Sequence, residues 1–317
     1  MSNAFVFPGQ GSQAVGMGRA LAEAFPVARE TFEEVDDALG QKLGRLMAEG
    51  PESDLTLTEN AQPALMAVSL AALRVLVSEG NLQLADKVAF VAGHSLGEYS
   101  ALAAAGALAL ADAARLLKRR GRAMQQAVPV GEGAMAALLG LDLPAAVEVA
   151  AAAAADIGGG AVCTAANDNA PGQVVVSGHK QAVERAIVVA AERGARRSVL
   201  LPVSAPFHCA LMQPAAEVMR EALAEVALAP PQVPIVANVT ARAVESPENI
   251  RRLLVDQVTG LVRWRESVLY MKEEGVHRLI ELGAGKVLTG LARRIDRDLA
   301  AVAAGDPAEI EAVLKLL

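Results

Sequence analysis

Val88-Ala89-Phe90-Val91-Ala92-Gly93-His94-Ser95-Leu96-Gly97-Glu98-Tyr99-Ser100 is the stretch that decides the fold. Its first five residues are apolar and end at a glycine, the pattern of a strand buried on both faces. Glycines on either side of the His94-Ser95-Leu96 tripeptide allow a sharp turn, and an alanine-rich run from Leu96 to about Ala105 reads as a helix. A buried strand running straight into a helix implies a parallel sheet with helical cover. Working outward, Ala4–Phe7 is a second such strand, closed by the loop Pro8-Gly9-Gln10-Gly11-Ser12. Helical periodicity fills much of Ala14–Leu46, a long helix is predicted over Pro63–Glu79 with a broad apolar face, and another over Ala111–Gln126.

The pattern changes near Gly131-Glu132-Gly133. Strand Ala134–Leu141, helix Pro144–Ala155, strands Ala161–Ala166 and Gln173–Ser177, helix Lys180–Arg193 and strand Arg196–Val203 follow in order. That β-α-β-β-α-β order is ferredoxin-like, with Pro171-Gly172 turning between the two central strands. The expected architecture is an α/β core with a parallel sheet, 1–130 and 204–317, carrying a ferredoxin-like insertion at 131–203. After the insertion the sequence predicts helix Met212–Ala227, strand Val233–Ala237 and helices Pro247–Val258 and Trp264–Glu274. Strand Val276–Leu282, a helix through Arg294, strand Ala300–Ala303 and helix Pro307–Leu316 complete it.

Composition narrows the function. The 317 residues are 53% hydrophobic and 21% charged, a globular balance. A net charge of −7 and 3% aromatics argue against nucleic acid as a partner. The longest charge-free stretch, Ser198–Ala216, is broken by three prolines, so no membrane span is expected. Cys163 and Cys209 stand far apart, suiting a reducing cytoplasm rather than a disulfide scaffold or a metal site.

Gly93-His94-Ser95-Leu96-Gly97 fits the G-x-S-x-G nucleophile elbow, although an ordinary glycine-rich turn would share those residues. An elbow lifts the serine hydroxyl above the sheet and aims the next N–H, that of Leu96, at a developing oxyanion. A serine nucleophile needs a base, and there are four histidines. His94 is held by the turn and suits packing, His179 lies in a solvated turn, and His277 begins a strand. His208, in the loop Ser204-Ala205-Pro206-Phe207-His208-Cys209 where the chain re-enters the core, is the candidate base. Asp256 and Glu281 do not stand out as a third member, which leaves a Ser–His dyad open beside a triad. Lys118-Arg119-Arg120-Gly121-Arg122 reads by position as a solvated cluster favoured by the helix dipole; the alternative is one arginine turned inward onto an anion.

Taken together, the chain resembles the malonyl-CoA:acyl carrier protein transacylases of bacterial fatty-acid synthesis. The resemblance runs from Phe5 to about Arg294. It rests on Phe7 through Gln13, Ala61-Gln62-Pro63-Ala64, Gly93 through Ser100, Asn167 through Gln173, Ala205 through His208 and Gly283 through Leu288. It implies a hydrolase-like α/β core with a ferredoxin-like insertion. It also implies Ser95 as the nucleophile carrying malonyl as an ester, and His208 as general base and then acid. Arg120 would pair with malonate's free carboxylate, the backbone N–H groups of Gln10 and Leu96 would form the oxyanion hole, and the main chain of Gln257 would hold the histidine. Phe207 resembles the residue of malonyl-selecting members.

The expected partners are malonyl-CoA and, transiently, acyl carrier protein; no motif calls for a metal or bound cofactor, and nothing demands more than a monomer. Because carrier proteins of this pathway are acidic and the chain is itself negative, docking needs a local basic patch. Lys180, Arg185, Arg193, Arg196 and Arg197, or Lys286, Arg293 and Arg294, are the candidates. A serine hydrolase or thioesterase, a malonyl transferase of a malonate decarboxylase or polyketide system, and a non-catalytic binding protein are the competing readings.

Overall fold

The computed structural model describes residues 2–317. Its strands, in chain order, are β1 (Ser2–Phe7), β2 (Val88–Gly93), β3 (Gly133–Leu139), β4 (Cys163–Ala170) and β5 (Gln173–His179). They continue with β6 (Arg197–Leu200), β7 (Ile235–Ala237), β8 (Arg242–Val244), β9 (Val276–Leu282) and β10 (Ala300–Ala304). One sheet has the order β10-β9-β1-β2-β7-β8, and its strands are parallel except β8 at the edge. The second sheet, β4-β5-β3-β6, is antiparallel and takes all its strands from Gly133–Leu200.

Successive side chains of a strand point to opposite faces, and here each face meets a different core. Phe5, Phe7 and Val91 pack into one apolar cluster, whereas Ala4, Val6, Phe90 and Ala92 pack into another with Trp264. The antiparallel sheet is divided likewise. Ala136, Leu138 and Val176 pack on its own helices, while Met135, Ala137 and Val175 join the main core. Parallel register also brings strand ends together: Phe7 pairs with Gly93, and β7 ends at Ala237 on the far side of β2. The loop after β1, the turn after β2 and Asn238 therefore meet at one sheet edge, where open α/β sheets bind their ligands.

The structure departs from the sequence expectations in instructive places. The long helix starts at Thr58 and runs to Gly80, so Pro63 lies inside it. The single main-chain bond lost there is offset by burial of most of the helix. This helix is long and apolar enough to cross a membrane, yet 83% of its most apolar window is buried in the protein core. The 14–46 region is not continuous; it is split into Arg19–Ala24, Pro26–Leu39 and Leu43–Glu49 by Pro26 and by Gly40 at φ 59°. Strand β4 continues past Ala166 to Ala170, carrying Asn167, Asp168 and Asn169 to the core. The short edge strand β8 had no sequence expectation.

Candidate active site

The elbow explains its own glycines. A Cβ on Gly93 would lie 1.9 Å from the carbonyl of Gly97, and one on Gly97 would lie 2.3 Å from the carbonyl oxygen of Phe7. No side chain fits at either position, because β1, β2 and the helix Gly97–Ala104 converge there. Ser95 itself has φ 53°, a left-handed conformation that costs a non-glycine residue roughly 1–3 kcal/mol. Neighbouring side chains hold it in place. Ser95 N donates to Asn238 Oδ1 at 2.7 Å, and Asn238 Nδ2 donates to the Gly93 carbonyl at 2.6 Å. Gln257 Nε2 donates to the Ser95 carbonyl at 2.9 Å.

Ser95 Oγ lies 2.8 Å from His208 Nε2. His208 Nδ1 faces the Gln257 main-chain carbonyl at 2.9 Å. A carbonyl only accepts, so Nδ1 carries the proton and Nε2 is free to accept the serine proton. Burial and the positive charge of Arg120 push His208 down to about 3, which keeps the imidazole neutral. Neither acid considered as a third member approaches it. Asp256 is exposed and pairs with Arg252, while Glu281 accepts from Leu288 N, Thr289 N and Thr289 Oγ1 at a helix start.

Of the cations at 118–122, Arg120 alone turns fully inward, 1% exposed. Arg119 reaches Glu221 and Glu225, while Lys118 and Arg122 reach Glu59. The solvated reading thus holds for Arg119 and Arg122 and fails for Arg120. Its Nη1 donates to Gln62 Oε1 and its Nη2 to Gln257 Oε1, both at 2.8 Å, and Nη2 also lies 3.2 Å from Ser95 Oγ. Both fixed partners are neutral amides, and Nε has no partner among the described residues. The guanidinium is buried, charged and uncompensated by direct ion pairing, a site prepared for an anion beside the serine.

A cavity of about 920 Å³ opens over these groups. Gln10, Leu96 and Phe207 line it with Ser95, Arg120 and His208, so the seven expected site residues meet around one space once Gln257 behind Arg120 is counted. The main-chain N–H groups of Gln10 and Leu96 have no protein acceptor among the described residues, as oxyanion donors require. His94 packs near Trp264, with ring centroids 5.7 Å apart, and its Nε2 meets Asn169 Oδ1 at 2.8 Å. That contact, with Arg265 Nε on Asp168 Oδ2 at 2.9 Å, ties the antiparallel unit to the elbow. His277 is exposed, but His179 is not merely solvated: its Nδ1 accepts from Val162 N at 2.9 Å.

Sequence reasoning missed Gln62, Glu98 and Asn238. Their signal was present only in part, since Gln62 and Glu98 lie in quoted motifs while Asn238 follows a strand with no motif of its own.

A family model described as the acyl transferase domain matches residues 4–310. The malonyl CoA-acyl carrier protein transacylase of Escherichia coli (strain K12) is 48% identical over 313 residues, 99% of each chain. The solved acyl-carrier-protein-S-malonyltransferase of Bartonella henselae is 57% identical with a TM-score of 0.96, covering 100% of this chain and 99% of that one. A malonyl-transacylase solved in complex with its holo type II polyketide acyl-carrier protein is 44% identical with a TM-score of 0.95, covering 100% of both chains. On these matches over nearly its whole length, the chain belongs to the acyl transferase domain family, among the malonyl CoA-acyl carrier protein transacylases.

Proposed function

We propose that the chain transfers malonyl from malonyl-CoA to the phosphopantetheine thiol of an acyl carrier protein in fatty-acid synthesis. His208 Nε2 takes the Ser95 proton as Oγ attacks the thioester carbonyl. The tetrahedral oxyanion rests on the N–H groups of Gln10 and Leu96, coenzyme A leaves with the proton from His208, and malonyl remains as a serine ester. The carrier thiol then gives its proton to His208 and attacks the ester carbonyl; as this second tetrahedral intermediate collapses, His208 returns the proton to Ser95 Oγ and the acylated carrier departs. Gln257 holds His208 in the reactive tautomer through its main chain, in place of an acidic third member. No metal or resident cofactor is needed, since coenzyme A arrives as part of the substrate. Every group in this scheme comes from one chain, which supports a working monomer, and the two free cysteines suit a reducing cytoplasm.

The observation that carries this reading is Arg120, whose buried charge stands 3.2 Å from the nucleophile with only amide oxygens as fixed partners. An acyl group ending in carboxylate satisfies it; a neutral one leaves a buried cation unpaired. Phe207, 8% exposed at the cavity wall, restricts the space beside that acyl group. For docking, Arg185, Arg193 and Lys286 are engaged with Asp156, Glu148 and Glu309. Arg196, Arg197, Arg293 and Arg294 instead gather with Arg297 around a cleft of about 490 Å³. That cleft is where an acidic carrier protein docks. Release of coenzyme A from malonyl-CoA, followed with and without holo carrier protein, tests the reading. Sustained release only with carrier protein supports transfer; equal release in its absence means a hydrolase.

A further inference from the structure

Glu98 is 2% exposed, one residue into the helix that follows the elbow, and touches none of the reacting atoms. Its Oε2 accepts from Gln257 Nε2 at 2.8 Å and from Asn238 N at 3.1 Å. These two residues are the ones that grip the elbow. Asn238 holds Ser95 N and the Gly93 carbonyl; Gln257 holds the Ser95 carbonyl, the Arg120 guanidinium and, by its main chain, His208 Nδ1.

The Gln257 amide can face either way, and its partners decide which. Arg120 only donates, so it needs the amide oxygen; burial pushes Glu98 up to about 7, yet with any proton on Oε1 its Oε2 still only accepts, so it needs the amide nitrogen. With Glu98 on one side and Arg120 on the other, just one orientation satisfies both, and the second N–H of Nε2 is spent on the Ser95 carbonyl. We propose that Glu98 is a positioning residue that fixes the Gln257 amide orientation and so aims Arg120 at the acyl carboxylate. Without an acceptor at position 98, one buried N–H of the Gln257 amide loses its partner and the Ser95 carbonyl alone holds its nitrogen, so the amide loosens and Arg120 loses the firmness of one of its two anchors beside Ser95. This inference rests on the malonyl-transfer reading above and concerns how the acyl group is chosen rather than whether it moves.

The test compares malonyl-CoA with acetyl-CoA, whose acyl group carries no charge for Arg120, in the native protein, Glu98→Met and Glu98→Gln. Methionine fills a similar volume without an accepting oxygen, whereas glutamine can still present Oε1 to both donors. Misplacing a substrate clamp by about an ångström costs on the order of 10²-fold, so Glu98→Met should lower kcat/KM for malonyl-CoA by ~10–100-fold. Acetyl-CoA should be affected much less, and Glu98→Gln should keep a malonyl-to-acetyl ratio close to native. Gln257→Met removes the same amide from the other end while keeping the main-chain carbonyl for His208, and should show the same selective loss if Glu98→Met does not fold. Equal loss on both acyl groups, or an unchanged ratio in Glu98→Met, overturns the proposal. Failure of the native protein to move malonyl to carrier protein would instead overturn the underlying functional reading.

Discussion

Two basic regions of this molecule use the same side chain in opposite ways. Arg120 is single, buried, and fixed by two amide oxygens beside the serine. The arginines at 196, 197, 293, 294 and 297 are exposed around an open cleft, and among the described residues their only fixed side-chain partner is Gln173, which accepts from Arg294 at 2.8 Å. A desolvated charge discriminates, because leaving it or its counter-ion unpaired costs several kcal/mol. A hydrated cluster steers and orients, with each contact weak and screened by salt. The first suits the choice of a small acyl group, and the second suits the capture of an acidic protein on a chain of net charge −7.

The largest break in this comparison comes from Arg120→Leu. The malonyl carboxylate would then enter a dry site unpaired at a cost of ~3–5 kcal/mol, so kcat/KM for malonyl-CoA should fall by ~10²–10⁴-fold. Acetyl-CoA should lose far less, and steady-state kinetics on both substrates reads the difference. Charge reversal in the cleft should behave in the contrary manner. In Arg197→Glu with Arg294→Glu, acylation by malonyl-CoA stays native while kcat/KM for carrier protein drops by roughly 10-fold at low salt. Raising ionic strength to about 0.5 M should erase most of that drop while leaving the Arg120 effect in place. Equal effects of both changes on both half-reactions would collapse the distinction.

A subtler consequence is a pH profile. His208 must be neutral to accept the serine proton, and its folded value lies near 3, far below the ordinary 6.5. The base form is therefore lost only as pH falls toward that low value, and kcat/KM should show no histidine limb near pH 6.5. A carboxylate bound on Arg120 cancels one of the influences that depress His208, so the acid limb of kcat should lie above that of kcat/KM. In Arg120→Leu the two limbs should draw together.

How legible all this was depends on whether the constraint is local. The elbow could be read because its glycines answer to backbone collisions within a few residues, and those collisions are present at 1.9 Å and 2.3 Å. The insertion was legible because alternating apolar strands and turn residues fix its element order, and only the ends of its strands and helices moved. Arg120 was not singled out by spacing, although helical period offered a clue: Leu117, Arg120 and Met124 share the buried face. Proximity to a helix end argued for solvent, and the tertiary neighbours Gln62 and Gln257 decided otherwise. Glu98 and Asn238 were illegible as a pair because 140 positions separate them and nothing in the sequence says they meet. The edge strand β8 is only three residues long and pairs after a turn that holds Ala241 at φ 51°, so propensity gave it no signal.

The central claim is a malonyl ester on Ser95 that waits for a thiol. Its most direct test is the intact mass of the protein after brief mixing with malonyl-CoA, and again after adding holo carrier protein, with Ser95→Ala alongside. The account predicts one malonyl adduct on the native chain, none on Ser95→Ala, and transfer to carrier protein faster than loss to water. An adduct that persists in Ser95→Ala, or that decays at the same rate with and without carrier protein, would contradict it.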